Sequence, residues 1–318
     1  MNKIFIDGQA GTTGLLIQER LAQREDLELL AIKDADRKDE SIKQAVIKSA
    51  DIVILCLPDD AAKRSVELAE DAPVKFIDAS TAHRVDPSWD LGLPELEENQ
   101  RQKIQSSHRV SNPGCWSTAF LLALRPLIDA QLVSPESGFN AHGVSGYSGG
   151  GRTMIEDYEA RAISHPNDLW YARPYGLQLN HKHLPEMQRY AHLTQRPLFM
   201  PSVGHFHQGM LVNIPLGGRA MERIDSIEQV HQVLNARYQD EKCVKVHSPN
   251  AMDSLENGFL DPQGNNHTNR LDIFVFGNSE QILLISRLDN LGKGASGAAV
   301  QNLNLMLGVD ELTGLSLS

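Results

Sequence analysis

Cys115 stands in the stretch SNPGCWSTAF, directly after Pro113 and Gly114 and at the head of an apolar run. Asn112, Pro113 and Gly114 are turn formers. The pattern therefore predicts a tight turn and then a helix, with Cys115 at its N-terminus. A helix dipole lowers a thiol's pKa there and favours the nucleophilic thiolate. The other two cysteines lack that setting. Cys56 falls in mid-strand in DIVILCLP, where a small buried apolar role is ordinary, and Cys243 falls in the charged stretch QDEKCVKV. A thiolate needs a proton-transfer partner. Two histidine pairs are candidates: His181 and His183 in HKHLPEM, and His205 and His207 in GHFHQGM. The first pair precedes Pro185 and Glu186, a helix start with an acidic first turn. A neutral imidazole there can serve as acid or base. Neither pair has the H-E-x-x-H pattern of a zinc helix, so no metal is expected.

A second group of residues suits anions. Gly8, Gly11 and Gly14 follow the apolar residues Ile4, Phe5 and Ile6 and lead into a helical pattern begun by Leu15 and Leu16. Glycines at a strand-to-helix turn let the backbone approach a phosphate closely, and the N–H groups of the first helical turn favour its charge. Thr12 and Thr13 lie in that turn. The stretch AIKDADRKD then holds both kinds of ribose selector. Lys33, Arg37 and Lys38 suit a 2′-phosphate, whereas Asp34 and Asp36 suit a free diol. Further on, HGVSGYSGGGRTM carries five glycines and two serines ahead of Arg152. It is expected to be an anion-binding loop, with Ser145, Gly146, Ser148 and Gly149 around the ligand and Arg152 as the clamp. Arg84 and Arg109 are further candidate clamps.

The elements that must position these groups alternate. Strands are expected over residues 27–32, 51–58 and 75–80, with helices over 41–50 and 60–71 between them. Such alternation means a doubly wound α/β domain. Ligands of such sheets sit beyond the carboxyl ends of the strands, which makes Pro58 and Ser80 cofactor neighbours. Near the C-terminus a turn leads into a helix with Val300, Leu303 and Leu307 on one face. The chain has 318 residues and a net charge of −11, which disfavours a nucleic-acid partner. Three dispersed cysteines are no disulfide framework. No apolar run approaches the roughly 20 residues of a membrane span, and the N-terminus lacks a signal peptide's apolar core. A cytoplasmic protein is expected.

Taken in order, GQAGTTG, LGLPEL, SNPGCWSTA, GVSGYSGGGR, HKHLPEM and DNLGKGASGAAVQNLNLMLG run from Gly8 to Gly308. Together they resemble the N-acetyl-γ-glutamyl-phosphate reductases, most closely their shorter second type, within the semialdehyde-dehydrogenase superfamily. The resemblance implies a Rossmann domain over residues 1–114, completed by a C-terminal helix within 290–318. It implies an α+β catalytic and oligomerisation domain on a mixed sheet over residues 115–289. It further implies NADP as cofactor, with Asn290 beside it, and Asn112 at the substrate. The expected reaction is reduction of N-acetyl-glutamyl 5-phosphate through a Cys115 thioester, in a homodimer or homotetramer. A reductase of another acyl phosphate, such as aspartyl phosphate, and a non-catalytic dinucleotide sensor are the alternatives.

Overall fold

The computed structural model describes every residue except Ala10 and Lys38, and the backbone alone of Asp34. Lys38, expected at the cofactor, thus lies outside the described residues. The chain forms two compact units: residues 1–114 with 295–315, and residues 115–294 with 316–318.

In the first unit β1 (Asn2–Asp7), α1 (Thr12–Leu21), β2 (Leu27–Leu30), α2 (Glu40–Ser49), β3 (Ile52–Leu55), α3 (Asp59–Ala69) and β4 (Lys75–Asp78) alternate. β5 (Asp90–Leu91), α4 (Gln100–Ser106) and β6 (Arg109–Ser111) follow. The strands form one parallel sheet in the order β2-β1-β3-β4-β6-β5. A parallel sheet covered on both faces needs strands that are apolar on both. Ile4, Ile6, Ile52 and Ile54 face one core with Ile17, Leu21 and Ile104. Phe5, Val53 and Leu55 face the other with Ile47, Ala62 and Leu68. β2 and β3 flank β1 on opposite sides. That reversal is the switch point at which such sheets bind ligands. Cys56 follows β3 instead of lying in mid-strand, and it packs against the first core.

The second unit begins with α5 (Cys115–Asp129), of which residues 116–128 are all buried. A helix buried all round is a central one. Pro126 lies inside it and has no N–H for the carbonyl one turn back. Tyr238 answers the loss, its hydroxyl donating to Leu122 O at 2.7 Å. β7 (Asn140–Gly146), α6 (Gly151–Ser164), β8 (Ala172–Pro174), α7 (Leu184–Tyr190), β9 (Leu198–Gly204) and β10 (Met210–Leu216) come next. α8 (Ile227–Tyr238), β11 (Val244–Val246), β12 (Leu271–Gly277) and β13 (Ile282–Leu288) complete the unit. The sheet is mixed, in the order β11-β12-β13-β10-β7-β9-β8. α5 packs on β10, β13, α7 and α8. Cys243, despite its charged neighbours in sequence, is fully buried.

α9 (Gly297–Leu307) belongs to the first unit, where Val300 and Leu303 join the first core. The chain re-enters that unit at Ala295 and not at residue 290. Residues 289 and 290 are bonded into the second unit: Asp289 accepts the His267 N–H at 2.7 Å and Asn290 accepts that of Gly209 at 2.7 Å.

One buried carboxylate gives the second unit a defined response to acid. Asp272 is inaccessible to solvent, with Arg270 at 3.0 Å, Arg287 at 2.7 Å and His247 at 3.4 Å. Burial pushes its carboxyl up. Hydrogen bonds from His247 and Arg287 and the arginine charges outweigh that and hold it at about 2. An unfolded aspartate titrates near ~3.9. The lowered value means stability that is complete above about pH 4 and lost between about pH 4 and 2, on the order of 2–3 kcal/mol. Urea unfolding from pH 6 to 2.5 should show that loss, and Asp272→Asn should flatten it. Equal acid slopes in both proteins would refute the assignment.

Candidate active site

Cys115 is the first residue of α5 and is half-buried. None of the three cysteines is in a disulfide. A Cβ at Gly294 would lie 2.7 Å from Cys115 Cβ, so only glycine fits beside the thiol. Gly294 lies in a wide helical turn over residues 292–296. Trp116, next along α5, donates its indole N–H to Tyr175 Oη at 3.1 Å and meets Phe199 edge-on. The Tyr175 ring lies 5.6 Å from His181, and His181 lies edge-on to His183 at 4.8 Å. Burial, and after it the charge of Cys115, pushes the Tyr175 phenol above its ordinary value. The second unit thus brings Cys115, Tyr175, His181 and His183 into one region.

The two histidines differ. His181 Nδ1 accepts the His183 backbone N–H at 3.2 Å. A neutral His181 ring held this way carries its proton on Nε2. His183 is 4% exposed and precedes α7, where its carbonyl receives the Met187 N–H. His205 and His207 lie elsewhere, packed against Tyr147 and, for His205, Tyr158 and Tyr171. Among the described residues no group of three or more His, Cys, Asp or Glu side chains is placed to hold a metal ion.

The glycine-serine loop departs from the expectation. Three of its N–H groups are engaged within the chain: Gly146 with Gly209 O at 2.9 Å, Tyr147 with Phe206 O at 2.9 Å, and Ser148 with His207 O at 3.0 Å. Those groups continue the β7 pairing and are not turned to a ligand. Ser145 and Ser148 are buried. Asn290, expected at the cofactor, locks this loop: its amide donates to Ser148 Oγ at 3.0 Å and accepts from Gly209 N at 2.7 Å. A Cβ at Gly149 would make only ordinary contacts, 3.4 Å to Asn290 Nδ2 and 3.5 Å to Ser145 Oγ. Arg152 lies in the first turn of α6, its side chain 76% exposed and paired with Glu156 at 2.7 Å. A carboxylate of its own helix already answers its charge. Asn112 is also occupied: its amide donates to Ala295 O at 3.1 Å and accepts from Asn302 at 3.0 Å. These bonds hold the turn before Cys115.

In the first unit the three glycines of the β1–α1 turn have different reasons. Gly8 has φ +99°, and a Cβ there would lie 2.3 Å from Cys56 O. A Cβ at Gly14 would lie 2.4 Å from Gly8 O. The chain's own packing requires both. Gly11 caps α1, and a Cβ there would meet only Gly8 O at 3.6 Å and Cys56 O at 3.9 Å, ordinary contacts. Among the described residues no contact demands glycine at that cap, whereas a phosphate approaching the first turn does. The turn therefore fits a dinucleotide. Thr12 and Thr13 form the first turn of α1, half-buried. Beside it lies a pocket of about 260 Å³ lined by Asp7, Gly8, Gln9, Ile32, Arg37 and Lys43 among others, at the switch point. Pro58 caps α3 and is exposed. Ser80 locks its own turn, donating to Asp78 at 2.9 Å and accepting from Ala82 N at 3.1 Å. Of the remaining candidate clamps, Arg84 is buried and donates to Ala79 O, and Arg109 is exposed.

Residues 3–104 match the semialdehyde dehydrogenase NAD binding domain and residues 115–290 the semialdehyde dehydrogenase dimerisation domain. An N-acetyl-gamma-glutamyl-phosphate reductase from Trichormus variabilis is 47% identical over 98% of this chain and 99% of its own. An N-acetyl-gamma-glutamyl-phosphate reductase 2 from Pseudomonas putida is 47% identical over 96% of each chain. The chain belongs to the N-acetyl-gamma-glutamyl-phosphate reductase family. The fold extends further. Aspartate semialdehyde dehydrogenase II from Vibrio cholerae superposes with a TM-score of 0.74 at 17% identity, over 97% of this chain and 98% of that one. An aspartate semialdehyde dehydrogenase from Candida albicans, solved with NADP, gives 0.66 at 13% identity over 97% and 99% of the two chains.

Within this reductase family the sequence pattern did not single out Trp116, Tyr175 or Gly294 here. Tyr175 stands six residues before His181 with no spacing rule to flag it. Gly294 was legible only as part of the GKGAS motif. The three cysteines give a direct test of which thiol is reactive. Burial, then the charges of Asp78 and Asp7, push the Cys56 thiol up to about 12, and Cys243 is inaccessible. Iodoacetamide at pH 8 is expected to modify Cys115 alone in the folded protein, read by peptide mass spectrometry. Comparable labelling of Cys56 would contradict this ordering.

Proposed function

We propose that the protein reduces N-acetyl-glutamyl 5-phosphate to N-acetyl-glutamate 5-semialdehyde and phosphate, with NADPH, through a thioester on Cys115, as a step of arginine biosynthesis. The observation that carries this reading is the half-buried Cys115 at the start of α5 beside Tyr175 and His181. It occurs in a chain 47% identical to reductases of that name.

Cys115 Sγ attacks the acyl carbon. The bond to the phosphate oxygen breaks, and phosphate leaves with the electron pair. A thioester splits one difficult step into two easier ones. NADPH, when bound, supplies the hydride. The thioester carbonyl becomes a tetrahedral oxyanion, which collapses to the aldehyde and returns the Cys115 thiolate. His181, with Nδ1 fixed as an acceptor, has its Nε2–H to donate as a hydrogen bond to that oxyanion until it collapses, and His183 orients it. Ser145, Ser148 and Gly149 shape the substrate side of the second unit. The Gly8–Gly14 turn with Thr12 and Thr13 holds the diphosphate, Arg37 takes the 2′-phosphate, and Pro58 and Ser80 lie along the strand ends.

The mixed sheet supports a homo-oligomer. Leu198 and Met200 of β9 are 41% and 43% exposed, with His142 of β7 in register beside Met200. An apolar face of this kind is suited to a second copy of the chain. Among the described residues no helix is long and apolar enough to cross a membrane. A cytoplasmic location completes the reading.

Cys115→Ala should abolish turnover and keep NADPH binding, measured by NADPH oxidation and by titration of nucleotide fluorescence. Substantial turnover by that variant would sink the mechanism, and faster turnover of aspartyl phosphate than of N-acetyl-glutamyl phosphate would reassign the substrate. His181→Asn should lower kcat by roughly 10²–10⁴-fold. For the cofactor, Arg37→Ala should weaken NADPH far more than NADH, by an amount that shrinks with added salt. Equal weakening of both would remove Arg37 from the 2′-phosphate.

A further inference from the structure

Asp7 ends β1, directly before Gly8, and lines the pocket beside the β1–α1 turn. It is 7% exposed. An ionised carboxylate at this point opposes any anionic nucleotide that enters. The charge is answered within the same unit. Lys43 reaches from α2 and sets Nζ 2.7 Å from Asp7 Oδ2, with both side chains largely buried. Ser65 of α3, fully buried, donates its hydroxyl to the same oxygen at 2.7 Å. Lys43 is held in place by the start of its helix: Asp39 caps α2, accepting the N–H groups of Ser41 and Ile42.

We propose that Lys43 is a positioning residue for the dinucleotide: by pairing with Asp7 it cancels the negative charge at the carboxyl end of β1 and lets the pocket accept an anionic nucleotide. This rests on the reading of that pocket as part of the NADPH site. Lys43 acts through Asp7, whereas Arg37 on the same pocket wall is assigned to the 2′-phosphate. The two roles separate cleanly. Loss of Arg37 removes one contact that only NADPH makes. Loss of Lys43 strands a buried carboxylate, which opposes NADPH and NADH alike. Breaking a buried pair by removing one partner is costly, while replacing both partners is often neutral. Removing the carboxylate as well should therefore repair the damage.

The test titrates NADPH and NADH fluorescence against the full chain, as wild type, Lys43→Met, Asp7→Asn and the double variant, with thermal unfolding in parallel. Lys43→Met should raise Kd for both nucleotides by roughly tenfold or more. The double variant should return to within about threefold of wild type, and Asp7→Asn alone should bind at least as tightly as wild type. A double variant as weak as Lys43→Met would mean that Lys43 touches the nucleotide itself and would overturn the proposal. Wild-type affinity in Lys43→Met would overturn it too. If Lys43→Met does not fold, Asp7→Asn and the double variant decide, because weakened binding in either contradicts the neutralising role. Wild-type protein that binds neither nucleotide would instead sink the reading of the pocket, an outcome distinct from all of these.

Discussion

The burial of α5 fixes the position of Cys115. Every residue from 116 to 128 is packed, so the helix has no polar face to turn outward and one rotational setting. Its one missing amide is answered by a neighbour: Tyr238 donates to Leu122 O, which Pro126 leaves without an N–H, and Ser286 adds a bond to Ala119 O at 2.8 Å. A buried carbonyl without a partner would cost about 1–3 kcal/mol. With the helix locked, its first residue is locked, and Cys115 is that residue. Trp116 carries the same order outward to Tyr175 through its indole N–H. An indole nitrogen can only donate, so Tyr175 Oη is the acceptor in that bond and keeps its own proton for another partner.

Charge is handled locally in a chain whose net charge is −11. At ordinary ionic strength the reach of an exposed charge is about 8–10 Å, so a global excess of carboxylates does not decide whether a given pocket takes an anion. The buried carboxylates decide it, and each has dedicated partners. Asp7 has Lys43 and Ser65. Asp78 has His83 at 2.6 Å and Ser80, with His83 stacked on Trp89. Asp272 has two arginines and His247. The surface carboxylates remain in water, where dissolved ions screen them.

Much of this was legible in the sequence because it follows from one-dimensional patterns. Continuous apolar strands such as IVIL over Ile52–Leu55 announce burial on both faces, and turn formers before Cys115 announce a helix start. What the sequence hid is pairing at long range. Asn290 and Asn112 are amides next to motif residues, yet each spends its hydrogen bonds on backbone or side chains far away in sequence, at Gly209, Ser148, Ala295 and Asn302. Cys243 sits among charges in sequence and under β12 and Asn269 in space. Spacing predicts which residues share an element. It does not predict which partner from another element arrives first.

Motif glycines can be sorted by what would occupy the space of a side chain, and the sorting assigns motifs to functions. Gly8 and Gly14 are excluded from carrying a Cβ by backbone oxygens of the chain itself, so they would be glycine with or without a ligand. Gly11 is not, and its glycine is left for the nucleotide to explain. Applied to GKGAS, the same question gives a different answer. A Cβ at Gly294 would meet Cys115 Cβ at 2.7 Å, Leu288 at 3.0 Å and Asp289 O at 3.1 Å. Leu288 meets it with a side-chain tip, Cδ1, but Cys115 Cβ and the Asp289 carbonyl are fixed to α5 and to the turn and cannot give way cheaply. Gly292 is blocked in turn by Thr268 O at 2.3 Å. The C-terminal glycine motif therefore serves Cys115: it brings backbone, and nothing larger, against the carbon that carries the sulfur.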